Sequence, residues 1–167
     1  SSSATTVSST STYSGSIADG AGVVSLSKSG TGSLYLTGSN SYSGGTTVTS
    51  GLVQNGLRNS FSDYFDQAFG TGAIVVSGSG TVAVRNNSTI ANNFTIGGAG
   101  SSGDGAIRGS FGTSSQTATL SGTVALSANA TIVTAASAGV TGSKLVVSGP
   151  VNLGSNTLTL SPGLALT

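Results

Sequence analysis

The feature that most constrains this chain is the recurrence of very short segments that alternate apolar with small polar side chains. They run through VVSL (23–26), SLYLTG (33–38), TTVTSG (46–51), AIVVSG (73–78), TVAV (81–84) and FTIGG (94–98). The series continues with TATLSG (117–122), TVAL (123–126), ATIV (130–133), KLVVSG (144–149), VNL (151–153) and TLTL (157–160). Period two is the pattern of a strand with one face buried. Gly, Asn or Ser bounds each segment and supplies the turn conformations between strands.

Many short strands suit a sandwich, a barrel or a solenoid, and three details favour the solenoid. Several segments follow one another too closely for hairpin-linked sandwich strands. Almost none carries the Lys, Arg or Pro that blunts a sheet edge. Thr, Ser and Asn recur in matching places, where they would stack between successive coils. The expectation is an all-β chain, a single β-solenoid domain over 1–167. At roughly 20–30 residues per coil and about 4.8 Å per stacked strand, it makes about six or seven coils. Residues 1–14 (SSSATTVSSTSTYS) read as a Ser/Thr-rich segment, a linker or an extended docking strand.

Composition narrows the function. Gly (27), Ser (33) and Thr (23) make half of the 167 residues, and only nine are charged. Disordered chains of such bias are usually charge-rich and poor in β-branched residues; this one is the reverse and should fold. Five scattered cations cannot neutralise a run of phosphates, so nucleic acid is excluded as a partner. No apolar run is long enough to span a bilayer, so membrane insertion is not expected. The chain lacks Met and is expected to be a processed or excerpted piece of a longer precursor.

Residues 55–70 (NGLRNSFSDYFDQAFG) break the rhythm. Leu57, Phe61, Tyr64, Phe65 and Ala68 recur at helical spacing, which predicts a short helical insert. One reading makes its aromatics a cover for a lateral patch of the solenoid. The other makes Arg58, Phe61, Tyr64, Phe65 and Phe69 an interaction surface, because such residues anchor interfaces.

The segment LSKSGTGSLYLTGSNSYSGGTTVTSGLVQ, residues 26–54, carries Leu26, Lys28, Gly30, Gly32, Leu34, Leu36, Gly38, Asn40, Tyr42, Gly44, Gly45, Thr46, Val48, Gly51 and Val53. In this spacing it resembles the autotransporter-associated β-strand repeat of bacterial passenger domains, with Thr37 in place of the usual Ser. The flanking YSGSIADGAG (13–22), FGTGAIVVSGSGTVAV (69–84) and NNFTIGGAGSSGDGAIRG (92–109) resemble its usual neighbours. The resemblance implies a right-handed parallel β-helix outside the cell, at the bacterial surface, structural or adhesive, with no catalytic residues. Within it, Leu26, Leu34, Leu36 and Val48 should point inward and the intervening Thr outward. Asn40 should occupy a left-handed corner and stack its amide on an Asn of the next coil, with Asn86, Asn87, Asn92, Asn93, Asn152 and Asn156 as further candidates.

Catalytic chemistry has little to work with. There is no His or Cys, hence no catalytic triad, no thiolate nucleophile and no imidazole or thiolate metal site. Asp63 and Asp66, three apart beside Tyr64 and Arg58, are the one carboxylate pair to weigh as a sugar-cleaving or Ca²⁺-binding constellation; the plainer reading is that they solvate the insert. GGAGSSGDG (97–105) lacks the Lys of a phosphate loop and reads as a turn. The expected function is therefore a non-enzymatic extracellular building block of a surface stalk or self-assembling fibre, without cofactors or metals. Its expected partners are second copies or neighbouring passenger repeats. The alternative is an adhesin for glycan or cell-surface protein, and a polysaccharide-degrading enzyme ranks last.

Overall fold

The structure, a computed structural model, describes residues 2–6, 9–57, 65–136, 139–161 and 164–166. In chain order its strands are β1 (Ser2–Thr6), β2 (Ser11–Tyr13), β3 (Ser25–Ser29), β4 (Ser33–Leu36), β5 (Thr46–Asn55), β6 (Ile74–Arg85), β7 (Thr89–Ile90) and β8 (Phe94–Gly98). After a single 3₁₀ turn at Ser101–Gly103 come β9 (Ile107–Phe111), β10 (Thr117–Leu120), β11 (Val124–Ala136), β12 (Lys144–Val147), β13 (Val151–Asn152), β14 (Leu158–Leu160) and β15 (Leu164–Leu166).

Every strand pairing is parallel, and each joins a segment to one roughly a coil away in sequence. One side of the stack has the order β1–β3–β5–β6–β8–β11–β13. A second side follows β2–β4–β5–β6–β9–β11–β14, because β5, β6 and β11 each bend through a corner and serve both. A third carries β7–β10–β12–β15. This is a β-solenoid of about five turns, slightly fewer than the six or seven expected. The difference lies in coil completeness: among the described residues the third side has four strands and acquires its first at Thr89.

Register explains the stability of the stack. On the second side Leu34, Val53, Val82, Ile107, Ile132 and Leu160 pair successively, one coil above another. On the first, Leu26, Thr46, Ile74, Phe94 and Val124 do the same, and on the third Ile90, Leu120 and Val147. A one-residue slip would turn an entire ladder outward, so the aliphatic pattern itself fixes the register. From Val53 to Ile132, and throughout the third ladder, these side chains are buried to within a per cent or so. Each contributes on the order of 1.5–3 kcal/mol relative to exposure.

Leu26, Leu34, Leu36 and Val48 point inward as expected. Thr46 does not follow its class: it too is buried, in the same ladder as Ile74. Asn40 also departs from expectation. It has no left-handed backbone, and its amide does not stack on another Asn. Instead its Oδ1 accepts from Ile17 N at 2.8 Å, and its Nδ2 donates to Ala68 O at 2.6 Å. One side chain thus pins the coils on both sides of its own. Asn86 is the member of the set that does adopt a left-handed φ, 51°.

Others work as pegs between coils. The Oδ1 atoms of Asn87, Asn93 and Asn129 accept from the backbone N–H of Thr117, Thr123 and Thr157 at 2.9, 3.0 and 2.9 Å. These bonds satisfy backbone N–H groups at strand starts and corners and add to the ladders between coils.

Candidate functional site

The corner between the first and second sides is where the motif residues converge. Gly51 turns β5 with φ 68°, and a Cβ there would stand 2.4 Å from Gly32 O, 2.5 Å from Gly30 O and 2.7 Å from Lys28 Nζ. Only glycine permits that approach. Lys28, the second inward residue of β3, is shielded from solvent and sends its ammonium into the same corner. It donates to Gly30 O at 2.6 Å, Ser29 O at 3.0 Å and Ser50 O at 3.1 Å. Three carbonyls satisfy its three N–H donors, while burial pulls its pKa below the ordinary lysine value. The arrangement closes a corner and ties two coils together. It leaves no free amine for chemistry.

A second buried polar group lies at Tyr42. Its hydroxyl is 2.5 Å from Thr46 Oγ1, and Thr46 in turn donates to Phe69 O at 3.0 Å. With its proton committed to Phe69, the Thr46 oxygen accepts from Tyr42. Burial pushes the Tyr42 pKa up to about 12, keeping the phenol neutral.

The aromatic insert is only partly within view. Arg58, Phe61, Asp63 and Tyr64 lie outside the described residues, and with them most of the expected helix. The adjoining residues 66–69 form a turn. Phe65 is half-buried and packs on the core, its ring beside Gly56. Phe69 is wholly buried and belongs to the core, so it presents nothing to a partner. Its aromatic neighbours made it look like a surface anchor. Its backbone oxygen accepts from Thr46 of the preceding coil, and its ring belongs to the core cluster that also holds Tyr42. Asp66 accepts from Thr89 N at 2.8 Å, a coil-to-coil peg like the asparagines. Asp19 plays this part too, accepting from Val24 N at 2.7 Å and from Ser43 N at 3.1 Å. Hydrogen bonding from Ser43, then from Val24, holds its carboxyl below the usual range. Among the described residues no three acidic, His or Cys side chains gather closely enough to hold a metal.

The outer surface of the second side carries a polar groove of about 220 Å³. Tyr35 of β4, Gln54 of β5 and Arg108 of β9 line it, with Asp104 on the loop before β9. Asp104 and Arg108 pair at 2.7 Å. The loop itself is held shut, with Gly105 N donating to Ala99 O at 2.8 Å. Buried Thr81 pins it from below, donating to Gly105 O and accepting from Ser101 N, both at 2.8 Å. Residues 97–105, read as a turn, are thus the wall of a groove. None of its lining residues stands out in the sequence, because they come from three different coils.

The family model of the passenger-associated transport repeat matches residues 26–54. Neither a curated protein nor a solved structure matches the chain. The repeat is a structural passenger repeat and not a known enzyme family, and it implies a secreted or cell-surface protein. No helix among the described residues is long and apolar enough to cross a membrane. The segment whose Lys28 and Gly51 close a corner of the solenoid thus matches the passenger-associated transport repeat, and the β-solenoid that carries it is consistent with an autotransporter passenger.

Proposed function

We propose that the chain is a non-enzymatic building block of a bacterial surface stalk or of a self-assembling fibre, working outside the cell. The observation that carries this reading is the set of side-chain pegs, each joining one coil to the next at a spacing of one repeat. A rod held by core ladders, backbone ladders and pegs transmits load along its axis, which is what a stalk or fibre does. Scarce charge and a hydroxyl-rich surface suit an inert element in variable salt.

For the fibre form the partner is a second copy; for the stalk form it is a neighbouring passenger repeat. The ends favour such partners. Val151, Leu153 and Leu160 are each more than a third exposed on the last coils. At the other end Tyr13, Ile17, Val24, Leu26 and Leu34 surround an apolar cavity of about 270 Å³. Electron microscopy of the purified chain tests the fibre form. Regular filaments that Leu153→Asp and Leu160→Asp abolish are the expected result, with the fold of the variants intact by circular dichroism. Dispersed short rods at high concentration defeat the fibre and leave the stalk.

A further inference from the structure

The groove on the second side is not needed to close a coil or to join two. From its geometry we infer that it binds a neutral sugar ring of a glycan, a recognition role separate from the load-bearing one.

Three features point to that ligand. First, the groove offers hydrogen-bonding groups of both kinds. Gln54 is almost wholly buried, and its Nε2 donates to Gly56 O at 3.1 Å. Gln54 lines the groove, and its Oε1 carries no hydrogen bond among the described residues, so it remains an acceptor. Asp104 adds acceptor oxygens, Arg108 adds donors, and the Tyr35 hydroxyl does either. Sugar hydroxyls, which donate and accept at once, match such a mixture.

Second, the charges cancel. Asp104 and Arg108 sit as a pair, so the groove holds no excess cation for phosphate, sulfate or carboxylate. That selects an uncharged, hydroxyl-rich ligand over an anionic one. Third, the site is rigid and small. Thr81 and the Gly105–Ala99 bond hold the loop wall, and the strands hold the floor. A volume of about 220 Å³ takes a single ring rather than a chain. Tyr35 is only 7 % exposed, so little of its ring is open for a sugar to stack on.

The test is a titration of the full chain, followed by ¹H–¹⁵N spectra. The probes are the methyl glycosides of glucose, galactose, mannose and N-acetylglucosamine, each to about 50 mM, because so small a site implies a Kd on the order of millimolar. At least one glycoside should give saturable shifts at the amides of 33–35, 52–54 and 101–108. Asp104→Asn and Gln54→Leu should each weaken binding about tenfold, and Tyr35→Phe a few-fold, with the remaining spectrum unchanged. Should Gln54→Leu unfold, the other two variants and the shift map of the unaltered chain decide. Silence from all four probes, or shifts confined to residues outside the groove, overturns the inference. So does saturable binding of galacturonic acid alone, which would place recognition on the Arg108 charge.

Discussion

Two buried polar side chains in the repeat define what single residues do here, and they respond to pH and truncation in different ways. Tyr42 has its pKa raised to about 12 by burial, against an ordinary value of 10.0. A raised folded-state pKa means stability that is complete below the unfolded value and lost as pH climbs through the folded one. The window is therefore pH 10 to 12, and two units correspond to about 2.7 kcal/mol. Thermal melts should show that loss, and Tyr42→Phe should flatten the slope across this window at the cost of roughly 1 kcal/mol at neutral pH. A variant with the alkaline slope unchanged would remove Tyr42 as its source. Lys28 is the opposite case, since its lowered pKa means the unfolded chain binds the proton more tightly. Its contribution rises with pH up to the ordinary lysine value of 10.5, below most of the Tyr42 loss. Its weight is better read by mutation. Lys28→Met keeps the stem but strands Ser29 O, Gly30 O and Ser50 O. It should cost about 3 kcal/mol by denaturant titration, more than a surface Lys would.

At the scale of elements, what matters is how a strand turns a corner without breaking its ladder. Alternation made the strands legible: the apolar–polar runs of TTVTSG, AIVVSG and TATLSG fall on β5, β6 and β10. Their fusion was not legible. AIVVSG and TVAV fall on one strand, β6, bent at Gly78, and TVAL and ATIV fall on one strand, β11, whose register against β8 shifts between Leu126 and Ala130 where the strand turns the corner. The repeat of Gly and Asn marked the corners, yet not which glycines are crowded, since crowding depends on the coil beneath. The groove was invisible for the same reason: Tyr35, Gln54 and Arg108 meet only because β4, β5 and β9 stack with β6 between. Three glycines separate crowding from backbone strain. Gly51→Ala meets two backbone oxygens near 2.5 Å and a positive φ, and should cost several kcal/mol or prevent folding. Gly103→Ala has φ 80° but open space around it, so it should cost about 1 kcal/mol. Gly20→Ala has neither obstacle and should be neutral or stabilise by up to about 1 kcal/mol. Denaturation midpoints in any other order would show that the corner contacts do not control the fold.

On the scale of the whole molecule, a solenoid is nearly one-dimensional, with each coil held mainly by its neighbours. A central rung such as Ile74–Val76 has partners on both sides, Thr46–Val48 and Phe94–Ile96, and its inward side chains are fully buried. The rung at β13 has β11 on one side, only two paired residues, and an exposed Val151. The free energy of opening should therefore fall from the middle of the rod toward its ends, since local opening is easiest where few apolar contacts must be broken. Hydrogen exchange at neutral pH measures this directly. The amides of Ile74, Val82 and Phe94, bonded to Asn93 O, Ala106 O and Thr123 O, should be the slowest. Those of Asn156 and Ser161, bonded to Leu153 O and Ile132 O, should exchange orders of magnitude faster. If the ends are covered by a second copy in a fibre, their amides should slow toward the central values as the chain concentration rises, because association stabilises by mass action. Uniform protection at high dilution would mean the rod opens as one unit, and that its pegs couple the coils far beyond nearest neighbours.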